Sequence, residues 1–188
     1  MPRHSISNAR CADFETTTNP LDCRVWSWGS MAVNDYEDYE GGLGVGAYVA
    51  YLLSAPNVTF FHNLVFDGLF IIDYILKNGY KWVADKPGKG EFSTVISNMN
   101  KFYSITIVSK GGVKVELRDS LKKIPLPVRD VPKAFNLESV KGEIDYEAER
   151  PIGYLPTEDE WKYLYNDIYI MAQAMRVVLA SGMTKPVS

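Results

Sequence analysis

Segments with period-two hydrophobicity alternate with segments of helical period along this chain, and that alternation restricts it to α/β or α+β architectures. Bundles and sandwiches are excluded. Strands are expected over residues 10–15 (RCADFE), 24–33 (RVWSWGSMAV) and 57–62 (NVTFFH), and over 91–96, 102–108 and 113–117. The last three read as an antiparallel set that turns at Lys110-Gly111-Gly112. Helical spacing covers 45–54 and 67–78, the second stopping at Gly79, and a short piece near Pro125, Pro127 and Pro132 ends at about Phe135. Residues 35–42 form an acidic, Tyr-rich connector and 139–156 a polar, irregular loop. The clearest element comes last. Thr157-Glu158-Asp159-Glu160 fits a capping box, and Trp161, Leu164, Ile168, Met171, Ala172, Met175 and Val178 follow at spacings of three and four. One amphipathic helix to about Ser181 is predicted, with Gly182 ending it.

Composition narrows the class. With 188 residues, 46% hydrophobic and 13% aromatic, the chain is long enough for one well-packed domain and too rich in core residues to be disordered. No apolar run approaches the roughly 20 residues of a membrane span, so no membrane partner is expected. Met1-Pro2-Arg3-His4-Ser5 leads into polar residues instead of a secretory apolar core. Cys11 and Cys23 are too few for a disulfide framework, and no CxxC or Cys/His cluster suggests zinc. A reducing, cytoplasmic location is the expectation, the host cytoplasm if the source is viral. Net charge −3 and a pI of 5.4 exclude a polycation that coats nucleic acid. A nucleic-acid enzyme with its own carboxylate-rich site remains allowed.

Three acidic elements carry the chemistry. Asp13 and Glu15 sit two apart in a strand, so both carboxylates project from one face. Two desolvated anions side by side repel, and a divalent cation removes that penalty. On its own such a pair is more often a solvated edge. The second element is Phe60-Phe61-His62-Asn63-Leu64-Val65-Phe66-Asp67-Gly68. Asp67 alone could cap the following helix, but capping explains neither Asn63 nor the flanking aromatics. Tyr163 and Asp167, four apart, share one stripe beside the apolar stripe of the last helix. Read singly, Tyr163 belongs at the core margin and Asp167 in water.

If Asp13, Glu15, Asp67 and Asp167 converge, their four charges match two Mg²⁺ or Mn²⁺ ions, which prefer oxygen ligands. Two such ions about 3.5–4 Å apart are the clamp of phosphodiester hydrolysis, activating water and stabilising the leaving 3′ oxygen. Tyr163, with an ordinary pKa near 10, would orient that water by its hydroxyl and is a poor base.

At these residues the sequence resembles the 3′–5′ exonuclease domain of a DNA polymerase, of the four-carboxylate class with Tyr in its last motif. Asp13-Phe14-Glu15 is similar to the first motif, Asn63 with Phe66-Asp67-Gly68 to the second, and Tyr163-Leu164-Tyr165-Asn166-Asp167 to the third. More narrowly it resembles the protein-primed family B polymerases of small tailed bacteriophages. Asp13-Phe14-Glu15-Thr16-Thr17-Thr18, Phe61-His62-Asn63-Leu64, Asp119-Ser120-Leu121-Lys122-Lys123, Lys141-Gly142-Glu143-Ile144-Asp145-Tyr146 and Glu149-Arg150-Pro151 carry that match in order, from Cys11 to about Met175. The resemblance implies an RNase H-like (DnaQ-like) α/β fold, a mixed sheet of about five strands flanked by helices. It implies Asp13, Glu15, Asp67 and Asp167 as metal ligands, Tyr163 as the water-orienting group, and Lys141 as a cation at the scissile phosphate, where positive charge offsets the transition state. Thr16, Asn63, Phe66, Phe70, Ser120 and Leu121 match positions that hold a single-stranded DNA 3′ end: aromatics stack bases and small polar groups hold sugar and phosphate. His62 joins that set by position, although its own chemistry favours a hydrogen-bonded structural residue over a base. With His4 in the amino-terminal string, a His-based last motif is excluded.

The expected activity is metal-dependent 3′–5′ exonucleolysis, the proofreading module of such a polymerase, with the polymerase domain and a terminal protein as implied partners. Nothing after Asp167 resembles the palm motifs, so residues 1–188 are expected to form one exonuclease domain that does not polymerise DNA alone. A catalytically silent single-strand-binding or polymerase-docking domain is the alternative, and a small RNase ranks below it. Gly41-Gly42-Leu43-Gly44-Val45-Gly46 lacks the Gly-Lys-Ser/Thr of a phosphate loop, Asn57-Val58-Thr59 is not read as a glycosylation site, and the Tyr and Trp residues, Trp161 included, serve packing.

Overall fold

The structure, a computed structural model, describes residues 6–97 and 102–182; His4 and the string around it lie outside the described residues. Eight strands form one mixed sheet: β1 (Ala9–Thr16), β2 (Val25–Ala32), β3 (Tyr39–Gly42), β4 (Asn57–Phe61), β5 (Lys81–Trp82), β6 (Glu91–Ile96), β7 (Phe102–Val108) and β8 (Lys114–Asp119). Their spatial order is β3-β2-β1-β4-β8-β7-β6-β5. β1, β4 and β8 run parallel at the centre, while β1 with β2, β2 with β3 and the β8-β7-β6 set are antiparallel.

The α/β class expected from the alternation holds, and the sheet is wider than the five or so strands that the resemblance implied. β3 lies within the segment read as a connector, and β5 is two residues long. Neither is long enough to display a period-two pattern, so only the tertiary pairing reveals them.

Helices cover both faces. α1 (Gly44–Leu52) and α2 (Leu64–Lys77) lie on one side, and the single-turn α3 (Val131–Ala134) and long α4 (Glu158–Ala180) on the other. α3 carries Pro132 in its first turn, where its missing N–H costs nothing. Strand alternation sorts β1 between the layers. Cys11 joins Met31, Leu164, Ile168 and Met175 under α4, whereas Ala12 and Phe14 join Tyr48, Leu52, Ile71 and Phe92 beneath α1 and α2. All eight residues of β2 are buried, consistent with a strand covered on both faces.

α4 begins at the expected capping box: Thr157 Oγ1 accepts from the Glu160 N–H at 3.2 Å and Glu160 Oε1 accepts from the Thr157 N–H at 2.9 Å. Burial, not surface charge, holds this helix to the sheet. Leu164, Ile168, Met175 and Val178 are at most 1% exposed, each contributing about 1.5–3 kcal/mol by removal from water. The exposed Lys162–Glu158 pair adds only about 0.3–0.5 kcal/mol. Among the described residues no helix is long and apolar enough to cross a membrane.

Candidate active site: a carboxylate cleft

Because β1, β4 and β8 are parallel, their carboxyl ends open at the same edge, where α/β sheets hold ligands. Asp13 and Glu15 stand near the end of β1, and a register shift between Glu15 and Thr16 breaks the β1–β2 ladder there. α4 packs against β1 and β2 and contributes Tyr163 and Asp167. Both are buried, at 6% and 5% exposure, so Asp167 does not stand in water as a residue beside the apolar stripe was expected to. A cleft of about 270 Å³ is lined by Asp13, Glu15, Asp167, Tyr163 and Lys141 together with Thr16, His62, Phe66 and Ser120.

Asp67 arrives from α2. The predicted start of that helix was Asp67 itself, but the helix begins three residues earlier, at Leu64. Asn63 takes the cap position in the left-handed region, φ 69° and ψ 61°, without a side-chain cap. Asn is one of the few non-glycine residues that tolerates this conformation. Asp67 therefore does not cap the helix. It lies on the inward stripe with Leu64, Gly68, Ile71 and Ile75, 4% exposed. Asp67, Asn63, Phe70 and Leu121 do not line the cleft volume directly.

The electrostatics tie all four carboxylates together. Burial, then the Asp167 charge, pushes Asp13 up to about 7, although Lys141 and the Phe14 N–H oppose it. Burial, then Asp13 and Asp167, raises Glu15 to about 9, opposed by Lys141 and Arg150. Asp67 is raised well above the usual carboxylate range by burial and by the charges of Asp13, Glu15 and Asp119. Asp167 is raised by burial, with Lys141 pulling the other way. Lys141 Nζ donates to Asp167 Oδ2 at 2.5 Å and to the Tyr163 hydroxyl at 2.9 Å, and lies 4.8 Å from the Tyr163 ring centroid. Tyr163 is also hydrogen-bonded to the Tyr146 hydroxyl. Burial, that bond and the nearby carboxylates hold its phenol far above its ordinary range, so it stays protonated and serves as a hydrogen-bonding group, not a base.

Among the described residues, no group of three or more His, Cys, Asp or Glu side chains stands close enough to hold a metal ion in this arrangement; Lys141 instead carries the positive charge at Asp167. The donor chemistry nonetheless fits a hard divalent cation. The acidic set supplies only oxygen, its members raise one another's affinity for positive charge, and Asp167 Oδ1 is buried without a hydrogen-bond partner.

The remaining expected residues occupy two flanks. Phe66, 48% exposed, meets Phe70 edge-on at 5.5 Å between centroids, one turn apart on α2. His62 Nε2 donates to the Leu126 carbonyl at 2.7 Å, so Nδ1 accepts from the Ser120 hydroxyl at 3.0 Å. Burial holds the ring below its ordinary pKa. His62 lines the cleft with both ring nitrogens engaged, so the ring orients Ser120. Thr16 lines the cleft at the register shift.

Two further residues carry this geometry. Asp119 Oδ1 accepts from the backbone N–H of Asn63 at 3.0 Å and of Leu121 at 2.9 Å, and Tyr146 reaches Tyr163. Both stood within matched strings, yet a linear pattern does not say which backbone amide or hydroxyl a side chain will meet.

A family model described as DNA polymerase type B, organellar and viral, matches residues 54–173. The DNA polymerases of Bacillus phages PZA and phi29 are each 42% identical to the chain over 189 aligned residues, covering 98% of it and 32% of each relative. A solved structure of Phi29 DNA polymerase complexed with single-stranded DNA superposes with a TM-score of 0.89 at 39% identity, covering 98% of the chain and 33% of that protein. The chain spans about a third of the length of these relatives.

Proposed function

The chain belongs to the organellar and viral type B DNA polymerases, and from that premise we propose that its cleft is a metal-dependent 3′–5′ exonuclease site acting on single-stranded DNA ends, the proofreading module of a protein-primed polymerase. One observation carries the reading: Asp13 and Glu15 from β1 and Asp167 from α4 line one cleft with Tyr163 and Lys141, and Asp67 from α2 is buried close enough for the charges of Asp13 and Glu15 to raise its pKa. Such mutual repulsion in a buried cleft is costly in a purely structural protein and useful in a cation site.

Asp13, Glu15, Asp67 and Asp167 would hold two Mg²⁺ or Mn²⁺ ions, which when bound supply water activation and charge compensation at phosphate. The protonated Tyr163 hydroxyl orients the attacking water. Lys141, already between Tyr163 and Asp167, offsets charge that develops on the scissile phosphate. Phe66 and Phe70 present ring faces to unpaired bases, and Thr16, Asn63, Ser120 and Leu121 hold the terminal nucleotides. A polymerase domain and a terminal protein are proposed partners, and residues 1–188 are proposed to act as one exonuclease domain.

A 5′-labelled oligonucleotide incubated with the chain and Mg²⁺ or Mn²⁺ should shorten stepwise from its 3′ end. EDTA should stop this, and Asp13→Ala with Asp67→Ala should abolish it. A folded wild type that leaves the label at full length defeats the proposal. The second reading, a strand-binding domain without turnover, draws on the Lys141 ammonium seated on Asp167; strand binding without metal-dependent cleavage in the same assay favours it.

A further inference from the structure

Between Ala134 and Glu158 the chain forms no helix or strand. Yet this loop delivers Lys141 and Tyr146 to Tyr163 and Asp167 with hydrogen-bond precision. Long irregular loops do not hold a side chain at such distances unless something pins them. Direct ties of this loop near the cleft are single hydrogen bonds: the Thr18 hydroxyl donates to the Tyr146 carbonyl at 3.4 Å, Asn166 to the Val140 carbonyl at 2.6 Å and Gln173 Nε2 to the Ser139 hydroxyl at 3.4 Å.

The stronger anchor is Arg150. Its side chain is 3% exposed and its guanidinium lies 4.3 Å from the Trp26 ring centroid on β2. One nitrogen, Nη2, donates to the Asp145 carbonyl at 2.7 Å, and Nη1 donates to the Ala148 carbonyl at 3.3 Å. Nε and Nη2 donate to Glu160 Oε2 at 2.9 and 2.8 Å. Glu160 is the acidic member of the α4 capping box and also accepts from the Tyr154 hydroxyl at 2.5 Å. From Glu160, Tyr163 follows by three residues and Asp167 by seven, so all three share one helix face. The backbone carbonyl of Arg150 is in turn held by Arg24. A planar fork that fills carbonyls on one side and a carboxylate on the other is a task that a lysine ammonium does not reproduce.

We propose that Arg150 is a positioning residue for cleavage: by joining the carbonyls of Asp145 and Ala148 to Glu160, it holds the 139–156 loop so that Lys141 and Tyr146 meet Tyr163 and Asp167. This rests on the exonuclease reading of the cleft. Arg150 itself touches neither substrate nor the reacting atoms.

The test uses the 188-residue chain with Arg150→Lys, Glu160→Gln, Lys141→Ala and the double variant Arg150→Lys with Lys141→Ala. Arg150→Lys should lower kcat about 10-fold or more while KM for single-stranded DNA changes less than about 2-fold, because Asn63, Phe66 and Phe70 lie on the α2 flank. Once the loop is released Lys141 is already misplaced, so Lys141→Ala should cost little more in the Arg150→Lys background than Arg150→Lys costs alone. Hydrogen exchange should quicken in residues 139–150 and stay unchanged in the central strands. Should Arg150→Lys fail to fold, Glu160→Gln carries the same measurements. Fold-losses that multiply, or loop exchange unmoved by either variant, overturn the inference while a cleaving wild type leaves the exonuclease reading standing. A folded wild type with no turnover overturns both.

Discussion

Asp119 shows how one oxygen organises the backbone beside the cleft. It ends β8 opposite Phe61, and its Oδ1 satisfies two backbone amides, those of Asn63 and Leu121. Asp119→Ala removes both acceptors and should cost about 1–3 kcal/mol of stability, with KM for single-stranded DNA rising as Asn63 and Leu121 lose their seats. Asp119→Asn retains an oxygen in place and should recover most of the loss; thermal melts and steady-state kinetics together check this. Tyr163 makes a sharper demand. Since burial and its partners keep the phenol protonated, Tyr163→Phe should lower turnover roughly 10- to 100-fold without shifting the pH–rate profile. A profile that lost an alkaline or neutral limb would mean that Tyr163 titrates during catalysis. The residue identities of the cleft were legible in the sequence through the order of the Asp13-Phe14-Glu15 and Tyr163-x-x-x-Asp167 motifs and the family they resemble, spacing alone favouring a solvated edge and a solvent-facing Asp167. The hydrogen-bond partners were not, because all but the Asp119–Leu121 contact join residues 17 to 64 positions apart.

At the scale of elements, periodicity served where segments were long. The capping box and three-four spacing located α4 to within a residue of its observed end, Ala180. Thr157→Ala should cost about 1 kcal/mol, read as a shift in denaturant midpoint with unchanged m-value. Periodicity missed the start of α2 because Asn63 turns the chain by a left-handed backbone, which hydropathy does not register. It also missed β3. There Gly42 lies against the indole of Trp28, within 2.5 Å of where a Cβ would stand, and Trp28 is 3% exposed. Gly42→Ala should therefore destabilise the β2–β3 edge by about 1–3 kcal/mol, measurable in the same titration.

For the whole molecule, the gathered carboxylates couple stability to pH and to cations. Asp13 and Glu15 are raised to about 7 and 9 from ordinary values near 4. In the metal-free chain the folded state thus binds more protons than the unfolded state between those limits. Stability is full below about pH 4 and falls as pH rises through 7 and 9. His62, held below its ordinary value, acts in the opposite direction but only at acid pH, so the window from pH 7 to 9 isolates the carboxylates. In EDTA the melting temperature should fall across that window, and Glu15→Gln should flatten the slope. Mg²⁺ or Mn²⁺ should raise it more at pH 9 than at pH 7, since the cation then replaces fewer protons. A metal-free melting temperature that rises from pH 7 to 9 contradicts the electrostatics described for the cleft.

Local chemistry in the linear string was enough to determine the α/β class and the long capped helix, since propensity, period and spacing act over a few neighbours; the acidic residues stood out only through their ordered motifs and the family those motifs resemble. What tertiary structure alone decided was that Asp13, Glu15 and Asp167 share a cleft with Asp67 buried beside it, that Lys141 and Tyr146 come to them across an irregular loop, and that His62 is hydrogen-bonded to Ser120. The reason is physical: electrostatic repulsion and hydrogen bonding depend on distance in space, and the parallel pairing of β1, β4 and β8 sets those distances without leaving a mark on the order of residues.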